Sequence, residues 1–134
     1  MADAVLVDTG PLVAFLNRRD ADHERCVAAW REQGPLLTVW PVVTEAMHLL
    51  AFSRAAQDAL GELIERAVEV APLDRGDLPR VRNLMERYAS LPLDLADACL
   101  VRVAERLGIG TVFSLDHDFT VVRPRHAKRF RIVP

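Results

Sequence analysis

Apolar residues fall along this chain in two patterns. Short unbroken runs at 4–8, 36–40, 69–73, 111–115 and 130–133 read as strands buried on both faces. Between them, apolar positions recur every three or four residues, as in Leu78, Val81, Leu84, Met85 and Tyr88, and predict helices over 11–16, 20–33, 41–52, 53–68, 77–88 and 94–107. The punctuation agrees. Asp20, Ser53, Asp77 and Asp94 stand where N-caps belong, and Pro11, Pro41 and Pro79 suit first helical turns. Gly10-Pro11 reads as a turn, Gly34-Pro35 as a stop, and Gly108 as a C-terminal cap. Strands alternating with helices over short connections predict an α/β fold on a mainly parallel sheet of four to five strands. No repeat, low-complexity segment or linker interrupts the pattern, so residues 1–134 read as one domain.

Composition narrows the function. With 51% hydrophobic and 27% charged residues and a net charge of −2, the chain has the material for a core, which excludes a disordered protein. No apolar stretch approaches the roughly 20 residues that cross a bilayer, and Met1-Ala2-Asp3-Ala4 carries no basic leader, so no membrane association and a cytoplasmic location are expected. Cys26 and Cys99 sit in helical patterns away from any ligand spacing and read as reduced core thiols. His23, His48, His117 and His126 are scattered without zinc-site spacing. Neither a P-loop nor a dinucleotide glycine motif is present.

Lys128 is the only lysine among 17 cations, and five cations crowd into residues 123–131, leaving twelve against 19 acids elsewhere. Such a strip can grip a polyanion or simply guard a terminal strand against aggregation. Both readings stay open.

Four acids stand among apolar neighbours with no lysine or arginine within four residues: Asp8, Glu45, Asp97 and Asp116. A buried carboxylate must protonate, find a distant arginine or hold a metal ion. Asp8 and Asp116 end predicted strands, where open α/β sheets place their sites. Asp94 and Asp97 are spaced i, i+3 on one helix, and Asp118 follows Asp116 by two. Taken singly, each acid fits a cap or an ion pair. Together, six carboxylates form a hard-oxygen donor set suited to Mg2+ or Mn2+ and to metal-assisted phosphodiester hydrolysis. Thr9 and Ser114 add hydroxyls beside the strand-end acids.

Val7-Asp8-Thr9-Gly10, Thr44-Glu45, Leu93-Asp94-Leu95-Ala96-Asp97-Ala98 and Ser114-Leu115-Asp116-His117-Asp118-Phe119 resemble, in order and spacing, the acidic motifs of the PIN domain, with the size of the VapC-type ribonuclease toxins of VapBC toxin–antitoxin pairs. The resemblance implies a PIN-like three-layer α/β/α fold and a Mg2+- or Mn2+-dependent ribonuclease. It maps the core acids and metal ligands onto Asp8, Glu45, Asp97 and Asp116, with Asp94, Asp118, Thr9 and Ser114 supporting. It also implies RNA as substrate, a homodimer and a VapB-type antitoxin. Ser114 stands where threonine is commoner in the family, and His117 separates the last two acids.

A receiver domain would need a lysine after a late strand, and Lys128 comes too late in the chain. A haloacid-dehalogenase-like phosphatase would need a second acid where Gly10 stands. The remaining alternative is a non-catalytic or housekeeping PIN-like module of an RNA-processing complex, which predicts loss of a core acid, and none is missing. Candidate phosphate contacts are Arg18, Arg19, Arg123 and Arg125, and Trp30, Trp40, Phe52 and Leu60 offer an apolar groove for a partner helix.

Overall fold

The computed structural model describes residues 3–134; Met1 and Ala2, on which part of the N-terminal reading rests, lie outside the described residues. Five strands, β1 (Val5–Val7), β2 (Leu36–Thr38), β3 (Val68–Val70), β4 (Thr111–Phe113) and β5 (Arg131–Val133), form one sheet in the order β3-β2-β1-β4-β5, every neighbouring pair parallel. Seven helices complete a three-layer α/β arrangement: α1 (Thr9–Leu16), α2 (His23–Glu32), α3 (Trp40–Leu49), α4 (Arg54–Arg66), α5 (Leu78–Arg87), α6 (Leu95–Leu107) and α7 (Asp118–Val121).

The strands are apolar because helices cover the sheet. Val5, Leu6 and Val7 are all buried, as are Val112 and Phe113 beside them. α6 is buried along most of its length, from Ala96 through Val101 and again at Val103 and Ala104, so it runs through the interior rather than over the surface. From β1 the chain steps to β2 on one side, and β4 lies on the other. The C-terminal ends of β1 and β4 therefore flank the point where strand order reverses, the usual position for a site in an open parallel sheet.

Several boundaries differ from the sequence reading, each for a local reason. Helix α1 begins at Thr9 because the Asp8 side chain accepts the Thr9 amide, so Gly10 lies inside the first turn and does not reverse the chain. Asp20 does not cap α2; its carboxylate accepts the Asp22 amide in the preceding turn. Strand β2 stops at Thr38 because Trp40 and Pro41 open α3, and α3 ends at Leu49 rather than Phe52. Strand β3 spans Val68–Val70 instead of 69–73, since Pro72 has no amide to continue a ladder. Asp77 makes no side-chain cap for α5 and pairs with Arg102 and Arg106 instead. Ser53 and Asp94 do cap α4 and α6, and Gly108 closes α6 at φ +69°. Cys26 and Cys99 are free and buried.

Candidate active site

At the reversal point the structure opens a cleft of about 680 Å³ lined by Asp8, Thr9, Gly10, Glu45, Leu49, Asp94, Asp97, Leu115, Asp116, His117 and Asp118. All six carboxylates singled out in the sequence meet here. Among the described residues, no lysine or arginine lines the cleft.

Short covalent and hydrogen-bonded links from the frame set each acid in place. Asp8 leaves the end of β1 as the cap of α1, and its second oxygen accepts the Ser114 hydroxyl at 2.9 Å. Ser114, just past β4 and buried, also accepts the Asp116 amide at 3.0 Å, so one hydroxyl ties together the acids that follow β1 and β4. Asp116 in turn accepts the Asp118 amide at 2.9 Å. Thr9 donates its hydroxyl to Glu45 at 3.0 Å, linking α1 to α3. Asp94 caps α6 by accepting the amide of Asp97, which brings the two acids to the same helix end.

Burial and mutual repulsion leave Asp8, Glu45, Asp97 and Asp118 reluctant to ionise. Asp8 is pushed up to about 6, first by burial, with the Thr9 and Ser114 donors pulling the other way. Asp97 is pushed up to about 8 by burial and by the neighbouring charges of Asp8, Asp94 and Asp116. Glu45 and Asp118 are also raised, again first by burial. Only Asp8 and Asp97 are buried, however; Glu45 and Asp118 are half-buried, and Asp94 and Asp116 are exposed. The expectation that all four apolar-flanked acids are desolvated thus fails for Asp116, whose strand-end turn opens to solvent.

This donor set fits a hard divalent cation. Oxygens of Asp97, Asp116 and Asp118 lie within 4.8 Å of one another. Two oxygens on opposite sides of such a cation stand about 4–5 Å apart, given metal–oxygen distances of about 2.0–2.6 Å. All-oxygen ligation, with unpaired acids held against their own repulsion, suits Mg2+, Mn2+ or Ca2+ better than zinc or copper. Asp118 joins this tightest group although the sequence suggested only a supporting role. Both oxygens of Asp8 are already engaged by Thr9 and Ser114.

The family model of the PIN domain matches residues 5–123. The chain belongs to the PIN-domain family. Among curated proteins, this PIN domain is 27% identical over 135 residues to Ribonuclease VapC26 of Mycobacterium tuberculosis, spanning 97% of the chain and all of the relative. Among solved structures it resembles Mycobacterium tuberculosis VapC20, described as a Sarcin-Ricin loop cleaving toxin, with a TM-score of 0.82 at 22% identity over 92% of this chain and 98% of that one. A chain from the structure of Rickettsia felis VapBC2 bound to a DNA fragment from their promoter aligns with a TM-score of 0.63 at 10% identity, covering 96% of each.

Outside the acids, the candidate residues of this PIN domain divide between surface and core. Arg18, Arg19, Arg123 and Arg125 are all exposed, and none lines the cleft itself. The apolar groove does not form as expected. Leu60 is fully buried, and Trp30 is packed into the core, stacked on Phe15 at 4.0 Å between ring centroids. Trp40 and Phe52 are exposed. Leu49 and His117 also line the cleft; Leu49 drew no role from the sequence, because a leucine on a helix does not signal a site. Of the other histidines, His23 and His126 bond to the Ala14 and Ile109 carbonyls, and His48 is exposed.

Proposed function

We propose that this protein is a metal-dependent endoribonuclease of the VapC type, acting with Mg2+ or Mn2+ as the toxin of a toxin–antitoxin pair. The observation that carries the reading is the convergence of six carboxylates in one cleft with no arginine or lysine among them. Membership of the PIN family and the likeness to a curated ribonuclease that the match covers from end to end support it. A non-catalytic module has no reason to keep all six acids crowded against their own repulsion.

In this reading Asp97, Asp116 and Asp118 hold the cation, with Asp8 and Glu45 completing its surroundings. When bound, the cation supplies Lewis-acid polarisation of a phosphate and lowers the pKa of water to near neutrality. Glu45 is held through one oxygen by Thr9, which leaves the other to orient the attacking water or accept its proton. Ser114 keeps Asp8 and Asp116 in register. Asp94 caps α6 and aligns Asp97. The exposed Trp40 and Phe52, at opposite ends of the α3 region, are apolar side chains that an antitoxin segment or a second copy would cover. A single domain acting in the cytoplasm as a homodimer completes the proposal.

The test is incubation of purified protein with total RNA in Mg2+, Mn2+ or EDTA, beside an Asp97→Asn variant. Discrete fragments are expected with either metal, and none with EDTA or with the variant at unchanged circular dichroism. Cleavage by Asp97→Asn at the unaltered rate, or cleavage persisting in EDTA, would reject the assignment.

A further inference from the structure

Six carboxylates repel the polyanion they are meant to cut, and no lysine or arginine inside the cleft offsets them. Cations outside the cleft are left to do so. Tyr88, the residue that closes α5, ties two arginines to the stretches that carry Asp94 and Asp118. Its carbonyl accepts the amides of Leu91 and Leu93, each at 3.1 Å, which fixes the turn delivering Asp94 to the head of α6. Its hydroxyl accepts the Arg123 amide at 2.9 Å, which fixes the chain leaving α7, whose head carries Asp118. One tyrosine thus joins both acid-bearing stretches.

Two arginines attach to it, one through its guanidinium and one through its backbone amide. The Arg87 guanidinium lies over the Tyr88 ring, 5.6 Å from the centroid. Arg123 folds back onto α7, donating from Nη1 to the Thr120 carbonyl at 3.0 Å. Among the described residues, every ion pair belongs to another arginine: Arg25, Arg54, Arg80, Arg102 or Arg106. Arg87 and Arg123 therefore keep their charge available. Helix α7 is four residues long, a rise of about 6 Å, so its acidic head and the arginine just past its tail lie within reach of the same short stretch of nucleic acid.

We propose that Arg87, over the Tyr88 ring, and Arg123, whose amide bonds the Tyr88 hydroxyl, form a subsite for an RNA backbone phosphate next to the bond being cut. This rests on the ribonuclease reading and adds to it the side from which the strand is held. An acidic protein segment would meet the same cations, but it would not need the adjoining phosphodiester site. Guanidinium groups suit phosphate because their fork of donors matches its oxygens.

The experiment measures cleavage of a labelled RNA oligonucleotide spanning a cut site mapped with the unaltered protein, for Arg87→Gln, Arg123→Gln and the double variant. The Gln at 123 retains the backbone amide that Tyr88 accepts, so the fold around the tyrosine is kept. The double variant should raise KM several-fold and leave kcat and the Mn2+-induced rise in Tm unchanged. The dependence of log kcat/KM on log salt should become shallower by about 0.7 for each arginine that contacts a phosphate. Unchanged KM and salt slope in the double variant would overturn the subsite while leaving the ribonuclease reading intact, and so would loss of an acidic protein partner's binding without any change in KM for RNA. If the unaltered protein cuts no RNA at all, the ribonuclease reading falls and the subsite falls with it.

Discussion

Ser114 is a small residue held between two acids, yet it bears on how both behave. It is 3% exposed, donates to Asp8 and accepts from the Asp116 amide. Removing its hydroxyl by Ser114→Ala leaves a buried carboxylate oxygen and an amide without partners, at a cost of about 1–3 kcal/mol read by urea unfolding. The donor it provides lowers the Asp8 pKa, so its loss raises that pKa further. The acid limb of the pH–rate profile should then move to higher pH, whereas Ser114→Thr, which keeps the hydroxyl, should leave it in place. A purely structural serine would change stability without moving that limb. Ser114 and the six acids were legible in the sequence because strand ends and an i, i+3 helix pair state their direction. The ionisation of each acid was not, since solvent exposure of Asp116 depends on a turn whose opening no local pattern records.

Helices α5 and α6 pack through charge as well as through Val81 and Leu84. Arg80 meets Glu105 in a two-pronged contact at 2.9 and 2.7 Å, both side chains under a tenth exposed, and Glu105 also accepts the Arg125 amide at 2.8 Å. Asp77 receives Arg102 and Arg106, each at 2.8 Å. These contacts join residues 25 and 29 apart in the chain, which is why helical spacing revealed the apolar face of α5 but led to Asp77 being read as a simple cap. The single turn of α7 escaped notice because four residues carry no period. Glu105→Ala leaves the buried Arg80 guanidinium without its counter-charge and with Asn83 as its remaining hydrogen-bond partner, so a loss of about 3–5 kcal/mol is expected in chemical denaturation. Replacing both partners, as Arg80→Met with Glu105→Leu, should restore much of that loss. If the single variant costs under about 1 kcal/mol, the pair behaves as an exposed one and the packing account fails.

For the whole molecule, two sets of acids pull stability in opposite directions with pH. Burial opposes ionisation of Asp77, but the Asp74 amide and the Arg102 and Arg106 guanidinium groups outweigh it and bring its carboxyl down to about 2. An unfolded aspartate titrates near 4, so this group stabilises the fold above that pH and its contribution fades as pH falls toward 2. Asp8 and Asp97 do the reverse. Their folded values of about 6 and about 8 lie above the unfolded one, so between pH 4 and pH 8 the native state binds more protons than the unfolded chain. Stability of the metal-free protein must decline as pH rises through that interval. A divalent cation reverses the sign of the local field and takes the place of those protons, so it binds more tightly as pH rises and stabilises by mass action. Differential scanning calorimetry in EDTA should therefore show Tm falling from pH 5 to pH 8, and the increment produced by Mg2+ or Mn2+ growing across the same range. Asp97→Asn carries no proton to lose; its metal-free Tm should exceed that of the unaltered protein at pH 8, match it more closely at pH 5, and respond little to added metal. A metal-free Tm that rises from pH 5 to pH 8, or an increment from metal that is the same at both, would mean that the cleft's carboxylates are already compensated within the fold.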